Sequence, residues 1–124
     1  MKTLLLMLIV GFTTELFAQA KIHVPEMLHD FDTLMQGDQC EHEFMVVNIG
    51  DQPLIFTNVK TSCGCDVPSW DKEPVLPGDT TYVKYKYDSK RVGPMNKTMT
   101  MSSNDPITPI VVVRVKGVIL PKKD

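Results

Sequence analysis

The sequence predicts an all-β domain folded as an antiparallel β-sandwich of about seven strands. After residue 21, no stretch carries apolar residues at helical spacing over the length of a helix. Short alternating runs are instead separated by turn residues at intervals of about ten positions, which is typical of strands in sandwiches and barrels. Two packed sheets are the expected form because each sheet has to bury one face, and a small barrel is the alternative.

Six strands can be assigned in order along the chain. They are predicted over residues 27–31, 40–48, 54–61, 80–88, 96–102 and 110–120. The inner faces are expected to be formed by large apolar side chains of one parity: Phe44, Val46, Phe56, Val83, Tyr85, Val111 and Val113. Residues 66–79 are expected to form a loop, because their three prolines and one glycine cannot continue a central ladder. An immunoglobulin-like form is expected, although the cysteine and tryptophan pattern of antibody domains is missing.

Length and charge exclude several classes of protein. The chain has 124 residues, 13 Lys and Arg against 15 Asp and Glu, and a net charge of −2. Such a length is enough for one domain. The slight excess of acidic over basic residues gives no indication of a basic surface that would bind nucleic acid. No nucleophile elbow, zinc-protease motif or phosphate loop is present, so neither an enzyme nor a cofactor is predicted.

The first twenty residues resemble an export signal. Lys2 is followed by an apolar run over residues 4–12, and residues 18–20 read Ala-Gln-Ala. A short positive start, an apolar stretch and a small-x-small ending are typical of a cleavable secretory signal. The run is shorter than the roughly 20 apolar residues that a membrane span needs. We therefore predict a signal peptide over residues 1–20 and an exported domain over residues 21–124, periplasmic or extracellular, without a membrane span.

A series of short motifs resembles one bacterial family. In order along the chain they read H-D-F-D from residue 29, E-H-E-F from 41, N-I-G-D-Q-P-L from 48, S-C-G-C from 62, P-G-D from 77, Y-D-S from 87 and S-N from 103. The set resembles the domain of unknown function 1573 family, whose members are secreted immunoglobulin-like domains common in Bacteroidetes and similar in shape to the ASH/MSP group. The resemblance implies a binding or scaffolding module rather than an enzyme. Cys40 departs from the pattern, where relatives usually carry an aliphatic residue, and is therefore expected in the core.

The Cys63-Gly64-Cys65 segment is the candidate chemical site. Three interpretations remain open: a disulfide or thiol pair that closes a turn, a redox-active pair, or a soft-metal site for Cu(I) or Zn(II). The metal interpretation is weakened because structural zinc needs four ligands. The three histidines (His23, His29 and His42) show no ligand spacing to each other.

The functional expectation is a secreted, non-enzymatic binding or structural module of a bacterial cell envelope. Its partner is expected to be another protein of the envelope, and Trp70, assigned to a proline-flanked loop, is the candidate interaction residue. The alternative is thiol-redox or soft-metal handling through Cys63 and Cys65.

Overall fold

The protein is built from strands alone in the ranges that its computed structural model describes, residues 18–64 and 66–123. Eight strands follow one another there: β1 (Ile22–His23), β2 (Leu28–Met35), β3 (Glu41–Asn48), β4 (Phe56–Thr61), β5 (Asp66–Trp70), β6 (Thr80–Tyr87), β7 (Gly93–Ser103) and β8 (Ile110–Leu120). The predicted signal sequence lies mostly outside the described residues. Within them, no helix is long and apolar enough to cross a bilayer.

The strands form two four-stranded sheets, which confirms the predicted sandwich. The first sheet has the order β1-β3-β6-β5 and the second the order β2-β8-β7-β4. The second sheet is mixed rather than antiparallel, because β2 pairs with β8 in parallel. The reason lies at Pro25, between β1 and β2. Proline has no N–H to continue the pairing of β1 with β3, and the chain crosses to the second sheet there without reversing its direction.

The predicted strand parity is confirmed by the core. Phe44, Val46, Val83, Tyr85 and Val113 are completely buried. Val111 is buried as well, whereas Phe56 is only partly buried and packs against the core. The reason is a register shift after Phe56 in the pairing of β4 with β7, which interrupts the alternation.

The segment predicted as a loop begins with a strand, so this prediction was wrong for residues 66–70. β5 pairs antiparallel with β6, and Pro68 lies opposite Tyr85. A proline is accepted here because β5 is the edge strand of its sheet and needs a partner on one side only. Trp70 ends this strand opposite Val83, half-buried and packed against the core, with the ammonium of Lys72 5.4 Å from the centre of its ring.

Asn48 holds together the loops at one end of the sandwich. Its side chain is completely buried. The amide nitrogen donates to the carbonyl oxygens of Gln52 at 2.7 Å and Val75 at 2.9 Å, and the amide oxygen accepts from the Gly50 N–H at 3.0 Å. The asparagine of the N-I-G-D-Q-P-L motif is therefore a structural residue.

Asp105 fixes the position of the first strand through its buried carboxylate. One carboxylate oxygen accepts the N–H of Ile22 at 2.9 Å, and the other accepts the N–H groups of Ile107 and Thr108 at 2.8 and 2.9 Å. Burial by itself would raise the pKa of Asp105, but these three donated hydrogen bonds outweigh it and hold the pKa below its ordinary value. The carboxylate therefore ties β1 to the loop before β8.

Gly50 lets the chain before β1 lie directly against the turn after β3. A Cβ at this position would be 2.6 Å from the Lys21 nitrogen and closer still to the Gln19 carbonyl oxygen. Gln19 and Asp51 exchange two hydrogen bonds, at 2.6 and 3.0 Å, and Ala20 is 2% exposed. No side chain larger than that of glycine fits this contact.

Candidate functional site

The predicted cysteine site lies in the turn that leads from β4 in the second sheet to β5 in the first. Cys63 is half-buried and disulfide-bonded, and its carbonyl oxygen accepts the hydroxyl of Thr61 at 3.0 Å. Cys65 lies outside the described residues, so the pairing of Cys63 with Cys65 stays a prediction, as do the redox and metal interpretations. Cys40 is a free thiol that is 2% exposed, as predicted, and burial raises its pKa to about 11.

A buried carboxylate follows the cysteine turn directly. Asp66 is 5% exposed, and one of its oxygens accepts the hydroxyl of Tyr85 at 2.7 Å. The other oxygen, Oδ1, is buried and has no hydrogen-bond partner among the described residues. Burial raises the pKa of Tyr85, and the bond to Asp66 raises it further. A buried acceptor without a donor is rare enough in proteins to call for an explanation.

A second cluster joins the two sheets at their other side, and sequence spacing gave no sign of it. His29 of β2 and His42 of β3 stack with their ring centres 3.6 Å apart and their planes 11° from parallel. Phe31 meets the ring of His29 edge-on at 4.5 Å, and Phe44 meets the ring of His42 in the same way at 4.7 Å. The histidines show no ligand spacing in the sequence, yet the fold brings these two together, whereas His23 is exposed on β1.

Glu26 completes this cluster from the segment that precedes β2. Its Oε1 atom lies 3.2 Å from Nδ1 of His29, in a hydrogen bond, and 3.0 Å from Nε2 of His42. The second contact has the distance of an ion pair but not the angles of a hydrogen bond, so Nε2 of His42 is buried without a hydrogen-bond partner in the described part of the chain. Burial lowers the pKa of His42, as does the adjacent His29, while Glu26 opposes them. The imidazole of His42 is therefore neutral at pH 7.

One signal in the sequence could have pointed to this cluster. The pattern His-x-Phe occurs twice, at residues 29–31 and 42–44, and in each strand it places the histidine and the phenylalanine on one face. Matching pairs on two strands of one sandwich become neighbours only if those strands face each other across the core. That arrangement is a property of the topology, which the pattern does not contain.

The free side of β3 is the third feature of interest. β1 has two residues and pairs only with Val47 and Asn48 of β3. Residues 41–46 of β3 therefore pair with β6 on one side and, among the described residues, with no strand on the other. The chain leaves this edge by residue 27, where the Met27 carbonyl oxygen accepts the N–H of Arg114 in β8 at 2.8 Å.

Solved structures show the same fold at low sequence identity. A protein of unknown function from Porphyromonas gingivalis W83 is similar with a TM-score of 0.73 and 20% identity, over 87% of this chain and 51% of that one. The ASH/PapD-like domain 7 of human CEP192 is similar with a TM-score of 0.70 and 9% identity, over 86% of this chain and 89% of that one. The periplasmic chaperone SfaE is similar with a TM-score of 0.54 and 8% identity, over 83% of this chain and 59% of that one. This chain thus spans about half the length of the Porphyromonas protein.

Sequence comparison gives a family but no activity. No curated protein matches the chain. Residues 22–119, from the first residue of β1 almost to the end of β8, match the family described as "Protein of unknown function (DUF1573)". This is the family that the sequence motifs resembled, and the sandwich with ASH/PapD-like neighbours agrees with it. The chain belongs to the DUF1573 family.

Proposed function

We propose that the protein is an exported, non-enzymatic binding module of a bacterial cell envelope, and that it binds an extended segment of another envelope protein along the free side of β3. The observation that carries the proposal is the side of residues 41–46 that pairs with no strand in the described part of the chain. An unpaired strand edge is a template for an added strand, because its main-chain N–H and C=O groups are ready to pair.

The direction of the free main-chain groups follows from two hydrogen bonds. The N–H of Asn48 donates to the Asp79 carbonyl, on the side of β6, and the N–H of Ile49 donates to the Lys21 carbonyl, on the side of β1. Because these groups alternate along a strand, the N–H groups of Glu43 and Met45 point to the free side. An added strand would therefore form its main-chain hydrogen bonds at these two residues.

The side chains along this edge indicate what kind of segment fits. Glu41 and Glu43 lie on the outer face of β3, whereas Phe44 and Val46 lie on the inner face. On the paired side these glutamates already face Lys86 and Lys84 of β6, with Lys86 Nζ 3.6 Å from a Glu41 oxygen, so the edge suits a segment with alternating polar and apolar residues rather than a strongly charged one. Its apolar residues would extend the inner face of the sheet.

Two further observations support the export and the absence of catalysis. The first residues read as a cleavable secretory signal. Two buried polar residues, Asn48 and Asp105, form hydrogen bonds that hold the sandwich together. Such residues are not available to a substrate.

The test uses a proline and a matched control at the same position. Glu43→Pro removes the N–H that points to the free side, and edge strands tolerate proline. Glu43→Ala removes the same side chain but keeps the N–H. Each variant is expressed in the native host and cross-linked, and the captured envelope proteins are compared with those of the wild type. We expect Glu43→Ala to keep the partner and Glu43→Pro to lose it at an unchanged melting temperature. Capture of the same partner by Glu43→Pro would show that strand addition at β3 is wrong.

A second candidate function is thiol-disulfide exchange at Cys63 and Cys65, with soft-metal binding by the reduced pair as its variant. The observation that favours it is the buried Oδ1 atom of Asp66, which has no hydrogen-bond partner among the described residues and belongs to the residue after Cys65. A buried acceptor without a donor can mark a redox or catalytic role. Mild dithiol treatment of the folded protein, followed by alkylation and mass mapping, is expected to label Cys63 and Cys65 but not Cys40. Labelling mainly at Cys40 would contradict this candidate.

A further inference from the structure

We propose that Glu26, His29 and His42 form a binding site for a divalent transition-metal ion of the zinc type, and that the bound ion links the two sheets of the sandwich. The three donors come from different elements: Glu26 precedes β2, His29 lies in β2 and His42 lies in β3. β2 belongs to the second sheet and β3 to the first, so one ion held by these residues would bridge the sandwich.

The donor atoms are of the kind and at the spacing that zinc takes. One carboxylate oxygen and one nitrogen from each imidazole lie within 4.8 Å of one another. Zinc binds imidazole nitrogen and carboxylate oxygen at about 2.0–2.2 Å, so two ligands of a tetrahedral site lie about 3.3 Å apart. The Glu26 oxygen is already 3.0 Å from the His42 nitrogen and 3.2 Å from the His29 nitrogen. Two of the three distances between the donor atoms are thus already close to the separation of ligands around a zinc ion.

The unpaired nitrogen of His42 is an independent indication of a ligand. Nε2 is buried and faces the Glu26 oxygen without forming a hydrogen bond. A buried polar atom normally has a hydrogen-bond partner or a metal ion.

The stacking of the two imidazole rings limits how many ligands can reach one ion. The two rings are nearly parallel, with their centres 3.6 Å apart, so the lone pairs of their nitrogens do not converge on one point. Both rings therefore have to rotate to bind a common ion. Rotation about the χ2 bond of histidine is soft, because this torsion has a broad energy well. The edges of Phe31 and Phe44 limit that rotation. Three protein ligands with a fourth position for water are therefore expected, and the half-exposed side chain of Glu26 leaves a way in from solvent.

The choice among metals follows from the ligands. Two imidazole nitrogens with one carboxylate suit zinc, copper(II) or nickel, whereas calcium and magnesium prefer oxygen alone. Copper(II) is expected to bind more tightly than zinc at such a site, and magnesium not at all. This order separates the site from a cluster of exposed acidic groups, which would bind calcium and magnesium as well.

The experiment is a zinc titration of untagged, oxidised protein by calorimetry at pH 7.5, in a buffer that does not bind metals. We expect one zinc per chain and a melting temperature that rises with zinc concentration. His29→Gln and His42→Gln are each expected to weaken binding at least tenfold. His23→Gln is the matched control, because His23 is exposed on β1 and outside the cluster, and it should bind like the wild type. Absence of binding to the wild type, or unchanged binding by both cluster variants, would overturn the proposal.

A second measurement keeps the test valid if a histidine variant unfolds. In the wild-type protein, zinc is expected to shift the imidazole NMR signals of His29 and His42 and leave those of His23 in place. Shifts at His23 alone would overturn the site. Blocking the thiols after reduction removes any zinc bound by Cys63 and Cys65, and zinc binding that disappears on blocking would also contradict the proposal. Glu43→Pro is expected to keep zinc binding, so failure of the strand-addition proposal and failure of this one are distinguishable.

Discussion

Asn48→Ala is expected to destabilise the fold by about 3 kcal/mol. The buried amide makes hydrogen bonds with Gln52, Val75 and Gly50 at 2.7–3.0 Å, and a longer one with the Lys21 N–H at 3.3 Å. Each normal hydrogen bond contributes about 1 kcal/mol net, and a buried group that loses its partner costs more. The Val75 carbonyl keeps one partner, the N–H of Leu54 at 2.8 Å, which limits the loss. The free energy of unfolding of a typical domain is about 5–15 kcal/mol, so this loss is a large share of the total stability.

The assay is urea unfolding followed by circular dichroism. With a slope of about 1.5 kcal/mol per molar urea, a loss of 3 kcal/mol lowers the midpoint by about 2 M. Asn58→Ala on β4 is the matched control, because the side chain of Asn58 is exposed, and its midpoint should hardly change. Asn48→Asp should be at least as destabilising at pH 7, since a carboxylate would face two carbonyl oxygens. A loss below about 1 kcal/mol for Asn48→Ala would refute the structural role assigned to the motif.

Four further predictions follow from the packing and the charges. Phe44→Ala should cost about 3–5 kcal/mol in urea unfolding, because Phe44 is completely buried, and a cost below about 1 kcal/mol would mean that the strand parity is wrong. Cys40→Val should cost less than about 1.5 kcal/mol, since the thiol only fills apolar space, and native alkylation of Cys40 should be slow. Gly50→Ala should cost about 1–3 kcal/mol in urea unfolding, because the new methyl group would lie 2.6 Å from the Lys21 nitrogen; an unchanged midpoint would contradict that contact. The lowered pKa of His42 means that the unfolded chain binds more protons below about pH 6.5, so stability should fall as the pH drops through that value. His42→Gln should flatten this part of the pH profile, and an equally steep profile would exclude His42 as the cause.

The sequence was sufficient for the strands that alternate strictly. β3, β6 and β8 each bury every second residue, so period two located both the strands and their inner faces. β5 was not predicted, because a proline indicates that a segment is not a central strand, whereas an edge strand tolerates it. The parallel pairing of β2 with β8 was not predicted either, because the alternation of apolar and polar residues carries no information about strand direction.

The candidate sites show where sequence reasoning ends. The cysteine pair was visible because its members are separated by one residue. His29 and His42 are separated by loops and by a change of sheet, and only the stacking of the two sheets brings their rings to 3.6 Å. Glu26 gave no signal at all, because it lies in an irregular segment whose path depends on Pro25. Sites made across a sandwich therefore need the topology, whereas sites made within one turn need only the sequence.

The close contact at Gly50 bears on the predicted removal of the leader. The predicted cleavage point after Ala20 lies within the docked segment, where Gln19 is hydrogen-bonded to Asp51 and Ala20 is 2% exposed. A signal peptidase needs an extended and accessible substrate, so cleavage at the predicted position would have to precede the docking of β1. A chain that folded first would shield its own cleavage point. With cleavage after Ala20, as the sequence predicts, the Lys21 nitrogen that donates to the Asn48 side chain would become the terminal ammonium, and the buried amide would receive a charged donor.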